Sequence, residues 1–162
     1  SVASSEAPVR ASAPPPALEP ADKERAAEQA LRQAGGFFDK EKYWDAIQLL
    51  EPQVASMPER LRTRGQTMLA RCYLKNPKWA RRAEEVLLEV TRADPRAVDA
   101  WALLGSIYES KGIRSRALNM YKKALELKPD HEEARQYVAA HPPEEPPPAE
   151  EGGLFRKLLR KP

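Results

Sequence analysis

Between Val98 and His131 apolar residues fall at three- and four-residue intervals, Trp101, Leu104 and Tyr108 in one run and Ala117, Tyr121 and Ala124 in the next. Spacing of that kind lines up on one face of a helix, so the two runs predict a pair of helices joined by a short turn. Gly105 and Ala117 are small enough to let the two helices approach closely. Pro129 cannot continue a helix and marks the stop. The same outline recurs twice upstream, with Leu69, Ala70 and Tyr73 before Ala83, Leu87 and Pro95, and with Ala34 and Phe37 before Ala46, Leu50 and Pro58. In all three an alanine stands twelve residues ahead of the closing proline.

A period held in phase over three units predicts an all-α fold, a right-handed helical solenoid whose helix pairs bury their apolar faces by stacking. The repeats are placed at about 27–60, 63–97 and 98–131, within a domain spanning 21–141. The middle unit has a longer inter-helix turn around Asn76, Pro77 and Lys78. The first unit is the most degenerate, and Pro52 predicts a bend or early end in its second helix. From Asp130 to Ala140, an acidic start followed by Ala134, Tyr137 and Val138 predicts a further helix, either capping the third repeat or opening a truncated fourth.

The last unit carries Trp101, Leu104, Gly105, Tyr108, Ala117, Tyr121, Ala124 and Pro129 at spacings that resemble the tetratricopeptide repeat at every signature position. The likeness extends over roughly 22–140, although the first unit has Ala30 and Gln33 at the Trp and Leu positions. What the resemblance implies is a protein-interaction module with a concave groove lined by the first helix of each unit. Carried onto this chain, the groove positions are Glu28, Leu31, Gly35, Phe38 and Asp39 in the first unit and Arg64, Thr67, Arg71, Leu74 and Lys75 in the second. The third adds Asp99, Ala102, Ser106, Glu109 and Ser110. The expected partner-binding set is Leu31, Phe38, Arg64, Thr67, Arg71, Leu74, Lys75, Ser106 and Glu109. The alternative is that the long basic side chains only cover apolar surface. Members of the family that clamp a chaperone's C-terminal carboxylate use Lys and Asn at set positions. Here Leu31, Gly35 and Leu103 stand instead, which argues against that subtype.

Charge sharpens the picture of the partner. The 162-residue chain has a formal net charge of only +3, but from Glu59 to Arg82 eight cations face one acid, and from Asp130 to Glu151 seven acids face Arg135 alone. Arg64, Arg71 and Lys75 beside Leu74 would suit an acidic, partly hydrophobic peptide. Few aromatics interleave with the cations, which argues against nucleic acid. Cys72, the single cysteine, excludes an internal disulfide and reads as a buried structural thiol. His131 and His141 lack ligand spacing, and no phosphate loop, paired catalytic carboxylates or nucleophile elbow is present. No metal, cofactor or enzymatic activity is expected.

The ends differ from the middle. Residues 1–20 hold five prolines and no apolar periodicity, and 142–153 are mostly Pro, Glu, Ala and Gly; both read as disordered, extended linkers. No segment has the pattern of a signal peptide or the length of a membrane span, and a cytoplasmic location is expected. A linker at the front suggests the C-terminal part of a larger protein, and the Ala, Arg and Pro richness a GC-rich bacterial genome. Wound as a helix, the final segment puts Leu154, Phe155, Leu158 and Leu159 on one side and Arg156, Lys157, Arg160 and Lys161 on the other. A helix so short is marginal alone, so it would dock on an anionic membrane, a partner or the domain itself. The glutamates of 144–151 could also fold back on Arg64, Arg71 and Lys75 and weaken acidic partners. The function these features support is a protein-binding adapter. The alternative is a membrane-associated or oligomerising scaffold held by the tail.

Overall fold

A computed structural model describes residues 19–142. Most of the expected linkers at 1–20 and 142–153, and the whole docking segment from Leu154 to Lys161, lie outside the described residues, and Pro20, expected in the first linker, already belongs to a helix. Seven α-helices and two short 3-10 turns, with no strand, account for the described chain. They gather into two units that divide between Cys72 and Tyr73.

In the first unit, α1 spans Pro20–Asp39 and α2 spans Tyr43–Leu50. Pro20 opens α1 at a position where its missing N–H costs nothing. The buried stripe Ala27, Ala30, Leu31 and Ala34 is made mostly of alanine, so α2 can lie close against it with Ala46, Ile47 and Leu50. Glu41 takes a left-handed φ of 58° in the turn between them. Ahead of Pro52, α2 stops at Leu50, and Glu51 closes it through its N–H to the Ile47 carbonyl. A 3-10 turn, Val54–Ser56, follows. The Pro58 carbonyl accepts from Leu61 and Arg62 as α3 begins, and α3 runs Glu59–Tyr73. Leu61, Leu69, Ala70 and Cys72 are buried on it, so the lone thiol sits in the core as its helical position predicts.

The second unit begins at Tyr73, whose buried ring meets Trp79 edge-on at 6.0 Å. The long turn expected around Asn76 is a 3-10 turn, Pro77–Trp79, capped by the Asn76 side chain accepting from the Lys78 N–H. Helix α4 (Ala80–Ala93) buries Ala83, Leu87 and Val90. Helices α5 (Val98–Ser110) and α6 (Arg114–Leu127) form the best-packed pair, turning at Gly112 with φ 71°. A Cβ on Gly105 would lie 2.8 Å from the Tyr121 ring, so the absence of a side chain there sets how near α6 can come. Trp101 is only half-buried, and its indole N–H donates to the Pro95 carbonyl at 2.9 Å, which ties the start of α5 to the proline that closes the preceding helix. Helix α7, Glu132–Ala140, lays Ala134 and Tyr137 on α6, with the Tyr137 and Tyr121 rings 4.7 Å apart. It starts two residues later than Asp130 because His131 is its N-cap, accepting from the Ala134 N–H.

Candidate partner-binding site

On the first unit, α1 and α3 enclose a concavity of about 390 Å³ lined by Glu28, Leu31, Arg32, Arg64 and Met68. Glu28 lies one helical turn before Leu31 and Arg32 on α1, and Arg64 and Met68 are one turn apart on α3, so each helix contributes a single face. Leu31 is mostly buried and forms the apolar floor, while Met68 is half-buried at the wall. Ion pairs on the rim bind the carboxylates: Arg60 meets Glu24 at 2.6 Å and Glu28 at 4.0 Å, and Arg32 meets Glu28 at 3.9 Å. Arg64 is exposed and has no carboxylate within ion-pair distance among the described residues. The concavity therefore presents an uncompensated guanidinium beside an apolar floor.

Elsewhere on the unit, Arg71 stacks over the Phe38 ring at 5.6 Å. That contact shields one face of the ring and holds the guanidinium near it. Thr67 is buried, and its hydroxyl donates to the Thr63 carbonyl at 2.8 Å, so it is occupied within its own helix. Of the groove residues expected here, Glu28, Leu31 and Arg64 thus line one concavity and Phe38 and Arg71 form a pair. Arg32 and Met68 were missed by sequence reasoning. Both sit beside or one turn from a residue it did find, so helical spacing from Leu31 and Arg64 would have reached them.

The second unit holds the other expected positions. Leu74 is half-buried and Lys75 exposed just after α3. On α5 the Ser106 hydroxyl donates to the Leu103 carbonyl at 2.9 Å. Exposed Glu109 accepts from the Tyr121 hydroxyl at 2.9 Å, and Glu133 on α7 lies 3.3 Å from the same oxygen. Burial, followed by that hydrogen bond and the two carboxylate charges, pushes the Tyr121 phenol well above its ordinary range. A second polar cluster joins α4, α5 and α6: Lys111 pairs with Glu84, and Lys111 and Arg116 lie over the Tyr108 ring at 5.8 and 5.5 Å. Burial alone would raise the Glu84 carboxyl, but hydrogen bonds from Lys111 and Tyr108 and the charges of Lys111 and Arg116 hold it below its usual value. Burial and then Glu84 push Tyr108 up.

Among the described residues no group of three or more His, Cys, Asp or Glu could hold a metal ion. No described helix is long and apolar enough to cross a membrane.

Residues 98–137 match the family model for the tetratricopeptide repeat. No curated protein matches the chain. Solved structures with the same fold include the C-terminal tetratricopeptide-containing domain of a Plasmodium falciparum FK506-binding protein, at 20% identity and TM-score 0.62, covering 76% of this chain and 90% of that one. The Arabidopsis OM64 domain is 16% identical at TM-score 0.63, over 73% of this chain and 95% of that one. The first tetratricopeptide domain of Spaghetti (RPAP3), solved bound to an HSP90 peptide, is 21% identical at TM-score 0.63, over 72% and 94%. The eight signature residues from Trp101 to Pro129 fall inside the matched segment, and the helices around them pair as the signature requires. Residues 98–137 are a tetratricopeptide repeat, and the described chain has the all-α fold of tetratricopeptide domains.

Proposed function

We propose that the chain is a protein-interaction adapter that receives a segment of a partner protein on the concave face of its helix pairs, with no catalytic role of its own. The observation that carries this is the α1–α3 concavity, where Leu31 and Arg64 come together from separate helices around about 390 Å³ of open space. An apolar floor with a few placed polar groups is what a peptide-binding site needs. The likeness to domains solved with HSP90 and HSP70 peptides supports a peptide ligand. Leu31, Gly35 and Leu103 in place of clamp residues point to a ligand other than a chaperone tail. We read its location as cytoplasmic.

The test is affinity capture from cell lysate with the whole chain, beside a variant carrying Arg64→Glu, Arg71→Glu and Lys75→Glu. A specific protein retained by the first and lost by the second is the expected result. A protein retained equally by both would move the site off this face. Failure to retain any protein, together with flotation on phosphatidylserine vesicles that Leu158→Glu and Leu159→Glu abolish, would make the chain a membrane scaffold and end the adapter reading.

A further inference from the structure

Resting on that reading, we infer that the α1–α3 concavity recognises an internal acidic side chain flanked by an aliphatic one, and that it does so without engaging a chain terminus. The argument begins with the ion pairs. Arg60 is committed to Glu24 and Glu28, and Arg32 to Glu28, so Glu28 contributes little negative field to the space it lines. Arg64 remains as the cation with no carboxylate beside it among the described residues, and it is exposed on the wall of the cavity. A guanidinium in that state favours a planar carboxylate, which it can hold through two parallel N–H donors.

The apolar side of the site fixes the neighbour. Leu31 and Met68 line the space, whereas the Phe38 ring is already covered by Arg71. An aliphatic side chain, Leu, Ile or Met, fits the first two, and methionine's unbranched thioether adapts to any of the three. An aromatic ligand would find no ring in this concavity to stack on.

The charge balance decides between side chain and terminus. A C-terminal residue with an acidic side chain brings two carboxylates into one place, and each needs its own cation or amide. Here three guanidinium charges, Arg32, Arg60 and Arg64, stand against the two carboxylates of Glu24 and Glu28, which leaves one positive charge uncompensated, and Leu31 and Gly35 supply no side-chain donor. One carboxylate is therefore satisfied, and a peptide whose ends are blocked loses nothing.

The experiment is a selection of random dodecapeptides displayed with both ends fused to carrier, on the immobilised chain of residues 1–162. Selected sequences are then made as N-acetylated, C-amidated peptides and measured by fluorescence anisotropy. The expected consensus is Asp or Glu next to Leu, Ile or Met, with at least a tenfold loss on Arg64→Glu. Partial recovery is expected when the peptide acid is exchanged for Lys against that variant. Met68→Gln should weaken binding by a few-fold. Arg64 is exposed, so its variant should unfold at the wild-type urea midpoint, which separates lost contact from lost fold. Peptides that bind equally well to wild type and Arg64→Glu, or that require a free carboxyl end, would overturn the inference and leave the adapter reading standing. Failure to select any peptide would sink the inference, while the adapter reading would stand or fall on the capture experiment.

Discussion

Helices α1 and α2 and helices α5 and α6 are two pairs built to similar outlines, and they spend their residues differently. In the second pair Gly105 lets the Tyr121 ring sit against the α5 backbone, Tyr121 is anchored by Glu109, and Tyr137 of α7 covers the ring. In the first, α2 is only eight residues long, alanines make up most of the α1 stripe, and a 3-10 turn stands where further helix would be. The signature residues are packing residues. Where all are present the pair closes on itself, and where they thin out, at Ala30 and Gln33, the same stretch of α1 borders open space through Glu28, Leu31 and Arg32. The α1–α3 concavity lies beside the degenerate repeat, whose side chains are not consumed by the fold.

The largest effect should come from the centre of the closed pair. Tyr121 is fully buried, touches Tyr137 and bonds to Glu109. Tyr121→Ala leaves a large cavity and should cost about 3–5 kcal/mol, read as a lowered midpoint in urea unfolding. Its effect on binding to the α1–α3 concavity should be small wherever the protein remains folded. A loss under about 1 kcal/mol would show that the ring is not the keystone this comparison makes it.

How much of this was legible beforehand follows from the same contrast. Periodicity and proline placement predicted α5, α6 and the early end of α2, since those depend on local rules that a helix or a proline cannot evade. The close approach at Gly105 was legible because only a small residue fits there. The start of α7 was not, because the capping atom is a histidine nitrogen, a weaker signal than the neighbouring Asp130. Nor was the concavity's full lining: which faces of α1 and α3 meet is set by packing, and Met68 and Arg32 acquire a role only once the helices are side by side. The engagement of Thr67 with Thr63 was hidden too, since a threonine hydroxyl can turn to its own backbone or to a ligand with no change in sequence.

A second effect separates the regions by pH. In an unfolded chain a tyrosine loses its proton near pH 10, but burial and the neighbouring carboxylates keep it on Tyr121 in the folded protein. Above that pH the folded state holds a proton the unfolded state has released, so stability falls as pH rises. The slope is about 1.4 kcal/mol per pH unit for one such group. Below pH 10 the contribution is present in full. Tyr108 of the same unit shifts in the same direction. Urea unfolding from about pH 9 to 11.5 should show this decline, and Tyr121→Phe should make it shallower by roughly the same per-unit amount. An unchanged slope in that variant would mean the phenol is not shielded as its contacts indicate.

The smallest effect is the most direct comparison of the two units, because each holds a helical glycine against a neighbour. A Cβ at Gly105 would stand 2.8 Å from Tyr121 ring atoms, and one at Gly65 would stand 2.9 Å from Val54 Cγ2 and 3.1 Å from Met57 Sδ. Replacing either with alanine gains about 1 kcal/mol of helix propensity, set against an overpacking cost of about 1–3 kcal/mol. The Tyr121 ring cannot turn aside, being held at its hydroxyl by Glu109 and on its face by Tyr137. Val54 and Met57 belong to the short turn and its exit, where a few tenths of an ångström can be absorbed and the thioether can re-orient. Gly105→Ala should therefore lose about 1 kcal/mol or more overall, and Gly65→Ala should stay within about 0.5 kcal/mol of wild type. Equal losses at the two positions would mean that the first unit is packed around Gly65 as rigidly as the second is around Gly105. The concavity would then need another explanation than a unit whose residues the fold leaves unspent.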